Sequence, residues 1–326
     1  MVGRSLAIRR AIRLIEEAAP TSAPVIITGE SGTGKERAAR AIHDKSPRQN
    51  RPYVAINCAA IPESLIESEL FGHERGAFTG ADRRREGCFE RANGGSLLLD
   101  EITEMRPEMQ AKLLRVLEER RILRLGASKE LPIDVRVFAA SNRSLRQAIR
   151  EGRLREDLYY RLNVYTVELP PLRDRLEDLP LLAAHFIREF NREHNKNVEG
   201  AGQDCLDALR THHWPGNVRE LRNVIQRAVI RCSSQMLSAE DLPADSVPQH
   251  GSEAQFIVHL GSSVREVERE LIVRTLAYAA GNKTRASDIL GMSRRNLYNR
   301  LNGYAGGGVD GHLNVNVYRN GRNGSS

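Results

Sequence analysis

The sequence predicts an α/β core that runs into an all-helical subdomain and, beyond a linker, a small all-α domain. Three observations carry this. The apolar run Val25-Ile26-Ile27 leads into a glycine loop and then into helical spacing, the strand–loop–helix order of a parallel α/β unit. A second apolar run, Leu97-Leu98-Leu99, stops at the carboxylate pair Asp100-Glu101. From Pro170-Pro171 to about residue 232 the apolar positions follow the helical period alone.

The length of 326 residues accommodates two domains with buried cores. No apolar run approaches the roughly 20 residues that cross a bilayer, so no membrane partner is expected. The opening MVGRSLAIRR lacks the apolar centre and cleavage site of a secretion signal. Cys58, Cys88, Cys205 and Cys232 have neither CxxC nor metal-ligand spacing. They are expected to stay reduced, and the location to be cytoplasmic. Arginine supplies 43 of the 49 basic residues, and the net charge is +7. That balance suits an anionic partner such as nucleic acid, although a GC-rich genome produces the same arginine bias.

Taken in order, residues 4–19 place Ile8, Ile12 and Ile15 at helical spacing, with Leu14 alongside and Pro20 at the end. The first strand then runs into Gly29-Glu30-Ser31-Gly32-Thr33-Gly34-Lys35, and a helix follows through Ala38, Ala39 and Ile42. This is the context of a Walker A loop. Its glycines let backbone N–H groups turn inward around phosphates, and the helix N-terminus adds a favourable dipole. Lys35 is expected to reach the β- and γ-phosphates of ATP. Glu36 stands where the generic motif has a hydroxyl for Mg2+, so the metal needs another ligand. Asp100 supplies it, at the end of a Walker B strand, and Glu101 is expected to polarise the attacking water. A solvated strand end is the alternative for the two carboxylates. The glycine loop upstream argues against it.

Between these motifs lies Gly76-Ala77-Phe78-Thr79-Gly80-Ala81, with neither helical nor strand period. Alone it reads as a surface turn. Inside an ATPase core it reads as a mobile loop presenting Phe78. Met109, Leu113, Leu114 and Leu117 mark a helix, and residues 125–130 a second prong. A strand over residues 135–140 ends at Ser141-Asn142, where Asn142 can sense a γ-phosphate. Residues 153–175 are dense in arginine, mostly solvated, but one inserted from a neighbouring subunit can stabilise phosphoryl-transfer charge.

The predicted limits are a core at 1–170, a helical lid at 171–237 and a linker at 238–263. Lid helices fall near 179–191, 205–212 and 218–232, with Trp214-Pro215-Gly216-Asn217 turning into the last. Residues 264–280 form a helix with Val267, Leu271 and Leu276 inward. Two short helices about Gly291 complete a helix-turn-helix over 264–303. Ser293 caps the second, whose exposed face carries Arg294, Arg295, Asn296 and Asn299, side chains suited to phosphates and base edges. Thr284 and Arg285 lie on the helix before it. A generic helical hairpin is the alternative. The Gly/Asn-rich tail at 304–326 is expected to be disordered.

Together these residues resemble the bacterial enhancer-binding proteins, AAA+ transcriptional activators that work with sigma-54 RNA polymerase. The resemblance spans about residues 2–303, and GESGTGKE and GAFTGA are its most specific motifs; Glu36 is normal in that context. It implies that residues 76–81 engage sigma-54, with Phe78 and Thr79 central. It implies that Asn57 in INCAAIPE restrains Glu101 according to nucleotide state. Asn142 then belongs to sensor I, Arg155 and Arg161 are trans-acting arginines, and Arg219 is the sensor II arginine. The implied partners are the sigma-54 holoenzyme, enhancer double-stranded DNA and further copies of the chain in a ring, expected to be a hexamer. Ala127 replaces a usual second-loop glycine, and the basic continuation usual after Leu301 is missing. No receiver or ligand-sensing domain precedes the ATPase, so either a separate regulatory protein controls it or the chain is a fragment of a longer activator. Two other readings compete: an AAA+ remodelling machine threading a substrate past Phe78, and a DNA-binding repressor that has lost ATPase coupling. Neither needs GAFTGA, and the intact Asp100-Glu101 argues against the second.

Overall fold

In the computed structural model, which describes residues 1–243, 263–278 and 282–305, five strands pair in parallel. They are β1 (Val25–Thr28), β2 (Tyr53–Asn57), β3 (Ser96–Asp100), β6 (Arg136–Ser141) and β7 (Tyr165–Glu168), in the order β2-β3-β6-β1-β7. β4 (Arg121–Ile122) and β5 (Leu131–Pro132) form a short antiparallel hairpin that carries the predicted second prong. Central strands covered on both faces need apolar side chains at successive positions. That is why Leu97, Leu98 and Leu99 are all fully buried. β6 runs one residue further than expected, because Ser141 pairs in register with Thr28.

Alternate strand residues point to opposite faces, and two cores result. Ile26, Leu97, Leu99, Val137 and Ala139 pack on one side. That side is covered by α3 (Glu63–Phe71), α4 (Cys88–Arg91), α5 (Pro107–Glu119), α6 (Leu145–Arg150) and α7 (Glu156–Leu162). Val25, Ile27, Leu98, Phe138 and Val167 pack on the other, against α1 (Leu6–Ala18) and α2 (Lys35–Asp44). Ser5 caps α1: its Oγ accepts from Ile8 N–H at 3.3 Å and donates to Asp178 at 2.7 Å. Asp178 also accepts the backbone N–H of Arg4 and Ser5 at 2.6 and 2.9 Å, which pins the N-terminal segment to the 3-10 turn Leu172–Asp178.

That turn opens the lid: α8 (Leu179–His194), α9 (Gln203–Thr211) and α10 (Asn217–Arg231) around one apolar cluster. Trp214 is fully buried in it, and its indole N–H donates to Leu209 O at 2.9 Å, as a buried tryptophan requires. The lid is not purely helical. β8 (Gly200–Ala201) pairs in parallel with β9 (Met236–Leu237), two-residue strands too short for a periodicity argument. The four cysteines are free thiols and buried.

The chain divides into two units, residues 1–250 and 251–326. In the second, α11 (Val264–Tyr278), α12 (Lys283–Ile289) and α13 (Arg294–Ala305) surround Ile272, Ala286 and Leu297. The predicted inward face of α11 needs correction: Leu271 is 40% exposed and Ile272 is buried. One step along a helix rotates a side chain about 100°, so the seam runs through Ile272 instead. Gly291 adopts φ +63 between α12 and α13, a left-handed turn suited to glycine. The end of the helix predicted over 264–280, most of the linker (244–262) and the tail from 306 lie outside the described residues.

Candidate active site

The carboxyl ends of β1, β3 and β6 converge, which is where parallel α/β sheets bind ligands. Residues 29–34 leave β1 there and turn into α2. Gly32 and Gly34 take φ +79 and +102, and the space a Cβ would occupy at Gly34 is open. A side chain at Gly32 would meet Gly216 O at 2.1 Å, so the lid backbone rests directly on the loop. Gly29 N–H donates to Ser141 O at 3.3 Å, and Thr33 donates to Glu30 O through its N–H and hydroxyl, at 3.3 and 2.8 Å.

A cavity of about 460 Å³ opens beside this loop, lined among others by Ser31, Gly32, Gly34, Lys35, Glu36, Asn57, Asp100, Glu101 and Arg219. Lys35 is buried, and its Nζ donates to the carbonyls of Gly29 and Glu30 at 3.0 and 3.4 Å. Glu101 Oε1 lies 3.8 Å from that amine. Glu101 itself has φ +54, rare outside glycine. Its Oε2 accepts Asn142 N–H at 3.2 Å, and Asp100 Oδ1 accepts Glu101 N–H at 3.1 Å. Asn57 and Asp100 are register partners of β2 and β3. The Asn57 side chain accepts Ala59 N–H at 2.9 Å, and no hydrogen bond to Glu101 occurs among the described residues. From the lid, Arg219 Nη1 donates to Ser31 Oγ at 3.1 Å.

Glu30 behaves differently from its neighbours. Its carboxylate takes a two-pronged hydrogen bond from Arg173 at 2.6 and 2.8 Å, and another from Asn217 Nδ2 at 3.2 Å. Hydrogen bonding by Arg173, then Asn217, pulls its pKa down to about 2. Two cavity-lining cations went unread in the sequence, Arg37 and Arg222. Arg222 follows Arg219 by three positions on α10, the helical spacing that puts both on one face; that signal was available. It also pairs with Glu189 at 2.9 Å and lies over the Phe190 ring.

Among the described residues no three His, Cys, Asp or Glu side chains cluster as a metal site. Mg2+ is ordinarily held by one or two carboxylates together with substrate phosphates and water, and Asp100 at the cavity edge fits that pattern. Arg155 and Arg161 do not line this cavity. Arg155 pairs with Asp157 at 2.7 Å, and Arg161 donates to Leu117 O at 3.0 Å, both on the exposed surface.

The loop at 76–81 is closed by its own backbone: Gly76 N–H donates to Ala81 O at 2.9 Å and Ala81 N–H to Phe78 O at 3.0 Å. Ala81 is buried, and Phe78, 37% exposed, packs edge-on against His73 with ring centres 5.0 Å apart. His73 Nδ1 meets Ser68 Oγ at 2.6 Å. The sequence reading of a freely presented aromatic missed this contact. The two prongs are joined at their bases, where Glu74 N–H donates to Leu125 O and Leu125 N–H to Gly72 O.

On α13, Ser293 Oγ accepts Asn296 N–H at 3.3 Å, the expected cap. Ser293, Arg294, Arg295, Asn296 and Asn299 are exposed and Thr284 is half-buried. The Arg285 side chain lies outside the described residues.

The family model for the sigma-54 interaction domain matches residues 1–168, that for the AAA+ ATPase lid domain 173–256, and that for the Fis family of bacterial regulatory proteins 263–304. The chain belongs to the sigma-54 enhancer-binding proteins. The relatives it resembles include the transcriptional regulatory protein FlbD of Caulobacter vibrioides, 46% identical over 95% of this chain and 71% of FlbD. ZraR of Escherichia coli K12 is 48% identical over 92% of this chain and 68% of ZraR. Among solved structures, NtrX from Brucella abortus superposes with a TM-score of 0.69 at 36% identity, covering 93% of this chain and 69% of NtrX. NtrX crystallised with ATP gives a TM-score of 0.68 at the same identity, over 93% of this chain and 68% of NtrX. As an enhancer-binding protein, this chain is a transcriptional regulator with a nucleotide-binding AAA+ ATPase core, a helical lid and a Fis-type DNA-binding domain. No helix among the described residues is long and apolar enough to cross a membrane.

Proposed function

We propose that this chain binds enhancer DNA and uses ATP hydrolysis to remodel the closed complex of sigma-54 RNA polymerase into an open one. The observation that carries the reading is the convergence of Lys35, Asp100 and Glu101 on one cavity beneath the lid arginine Arg219. Lys35 and the loop N–H groups hold the β- and γ-phosphates. Asp100 holds Mg2+, which when bound neutralises phosphate charge. Glu101 orients and deprotonates the attacking water, and Arg219 reports nucleotide state to the lid. Arg155 and Arg161, exposed and outside the cavity of their own chain, act on the nucleotide of a neighbouring copy. That requirement favours a ring, with six copies as the proposed number.

Asn57 lies beside Asp100 at the strand ends and lines the same cavity as Glu101. Its amide, which now accepts from Ala59 N–H, turns its Nδ2 donor to the Glu101 carboxylate as nucleotide state changes. The resulting movement is delivered through residues 76–81, where Phe78 leaves His73 to meet sigma-54. Because the two prongs share backbone hydrogen bonds, they move together. The deciding experiment is open-complex formation by purified protein with sigma-54 holoenzyme on an enhancer-bearing promoter. Activity with ATP and none with a non-hydrolysable analogue is the expected result; opening without hydrolysis, or none at all, refutes the reading.

Thr79→Ala is expected to leave ATPase within about twofold of wild type while cutting sigma-54 engagement at least tenfold, about 1.4 kcal/mol. A gel-shift titration with sigma-54 checks it, and normal promoter opening by the variant removes the loop from the contact. For DNA, Arg295→Ala is expected to weaken enhancer binding by about 1–3 kcal/mol if it reads a base edge. If it contacts a phosphate, the salt slope falls by about 1. An unchanged affinity and slope over a salt titration favours a helical hairpin with no DNA role.

A further inference from the structure

Glu30 belongs by sequence to the phosphate loop, yet its carboxylate is not among the groups lining the cavity. Both oxygens are taken by residues from beyond the α/β core: Arg173 of the 3-10 turn that opens the lid, and Asn217 at the start of α10. Asn217 is fully buried with φ +51. Its Oδ1 accepts Leu172 N–H at 2.7 Å, and its Nδ2 donates to Ser31 O at 3.0 Å. One amide therefore ties the phosphate loop, the 3-10 turn and the lid helix together. Arg175, on the same turn, is buried and reaches Thr33 O at 3.5 Å. Arg219 N–H donates to Gly32 O at 3.2 Å, two positions along α10 from Asn217.

We propose that Glu30 is a positioning residue for ATP binding: through Arg173 and Asn217 it holds the lid on the phosphate loop, so that Arg219 faces the nucleotide. This rests on the reading of the cavity as the nucleotide site. A two-pronged guanidinium–carboxylate pair fixes direction as well as distance. The buried, left-handed Asn217 and the close approach of Gly32 to Gly216 O lie at the same joint. When the loop closes around phosphates, Glu30 moves with it and carries Arg173, Asn217 and hence α10. As an isolated surface pair, Glu30–Arg173 would add little stability, since the two side chains are 41% and 46% exposed. Its effect is on geometry.

The test uses the full chain with Glu30→Gln, Arg173→Gln and the double variant. Each single change is expected to raise KM for ATP about tenfold with kcat within about twofold. The double variant is expected to be no worse than either single, because one interaction is lost in all three. Trp214, the one tryptophan, sits three residues before Asn217, so its emission without nucleotide should shift in each variant. A purely structural role would instead lower thermal stability and kcat together. Unchanged KM and emission, or single effects that add in the double variant, overturn the clamp. Should Arg173→Gln not fold, Arg173→Lys keeps the charge but loses the fork and is expected to give an intermediate KM. Lys35→Ala run in parallel separates the failures. If it still binds ATP normally, the nucleotide site is misassigned; if it loses ATP while Glu30→Gln is silent, the clamp alone fails.

Discussion

Glu101→Gln is expected to keep nucleotide binding within about threefold of wild type and to reduce kcat about 10³-fold, the middle of the range for removal of a general base. The amide has the shape of the carboxylate and retains an oxygen for Asn142 N–H, which Glu101 now satisfies at 3.2 Å. What disappears is the anionic base, held at a cavity edge by a left-handed backbone and a lysine 3.8 Å away. A loss in kcat with binding preserved is the signature of an interaction made in the transition state. Phosphate release under saturating ATP, beside titration with a fluorescent ATP analogue, separates the two quantities. Turnover at the wild-type rate would remove Glu101 from the water-activating role.

Lys35→Ala is expected to lower ATP affinity about 100-fold or more, roughly 3 kcal/mol, the cost of deleting one partner of a desolvated charge pair. Lys35 is buried, and its amine already donates to two carbonyls of the loop it would close around the phosphates. Removing it takes away the cation proposed to hold the β- and γ-phosphates and leaves Glu101 without its ion-pair partner. The same titration measures this, with a thermal melt to verify that the variant is folded. Unchanged ATP affinity would mean that the cavity is not the nucleotide site.

Much of the core was legible because local signals and tertiary requirements agreed. Val25-Ile26-Ile27 and Leu97-Leu98-Leu99 read as buried strands, and they are the ones covered by helices on both faces. β2 and β7 were not read as strands. Both are edge strands with partial burial; β7 has no apolar run, whereas the run Tyr53-Val54-Ala55-Ile56 in β2 was available and passed over. Leu271 was misplaced because an apolar residue beside another, Ile272, leaves the helix phase ambiguous until its partners are known.

The site divides along the same line. Lys35, Asp100 and Glu101 stand next to motifs whose backbone geometry is local, so composition and order alone located them. Glu30 could be assigned only to the loop that contains it. Its actual partner, Arg173, lies 143 positions away along the chain. Phe78 likewise read as a projecting side chain, and its packing on His73 depends on the backbone closure of residues 76–81.

By itself, the amino-acid order determined the central strands β1, β3 and β6, the phosphate loop and the helix that follows it, since those follow from side-chain period, glycine freedom and capping over a few residues. Only the folded chain decided which distant side chains meet at the joint between loop and lid. Such meetings depend on how the sheet is registered and how α8 and α10 pack, and no short stretch of residues carries that information.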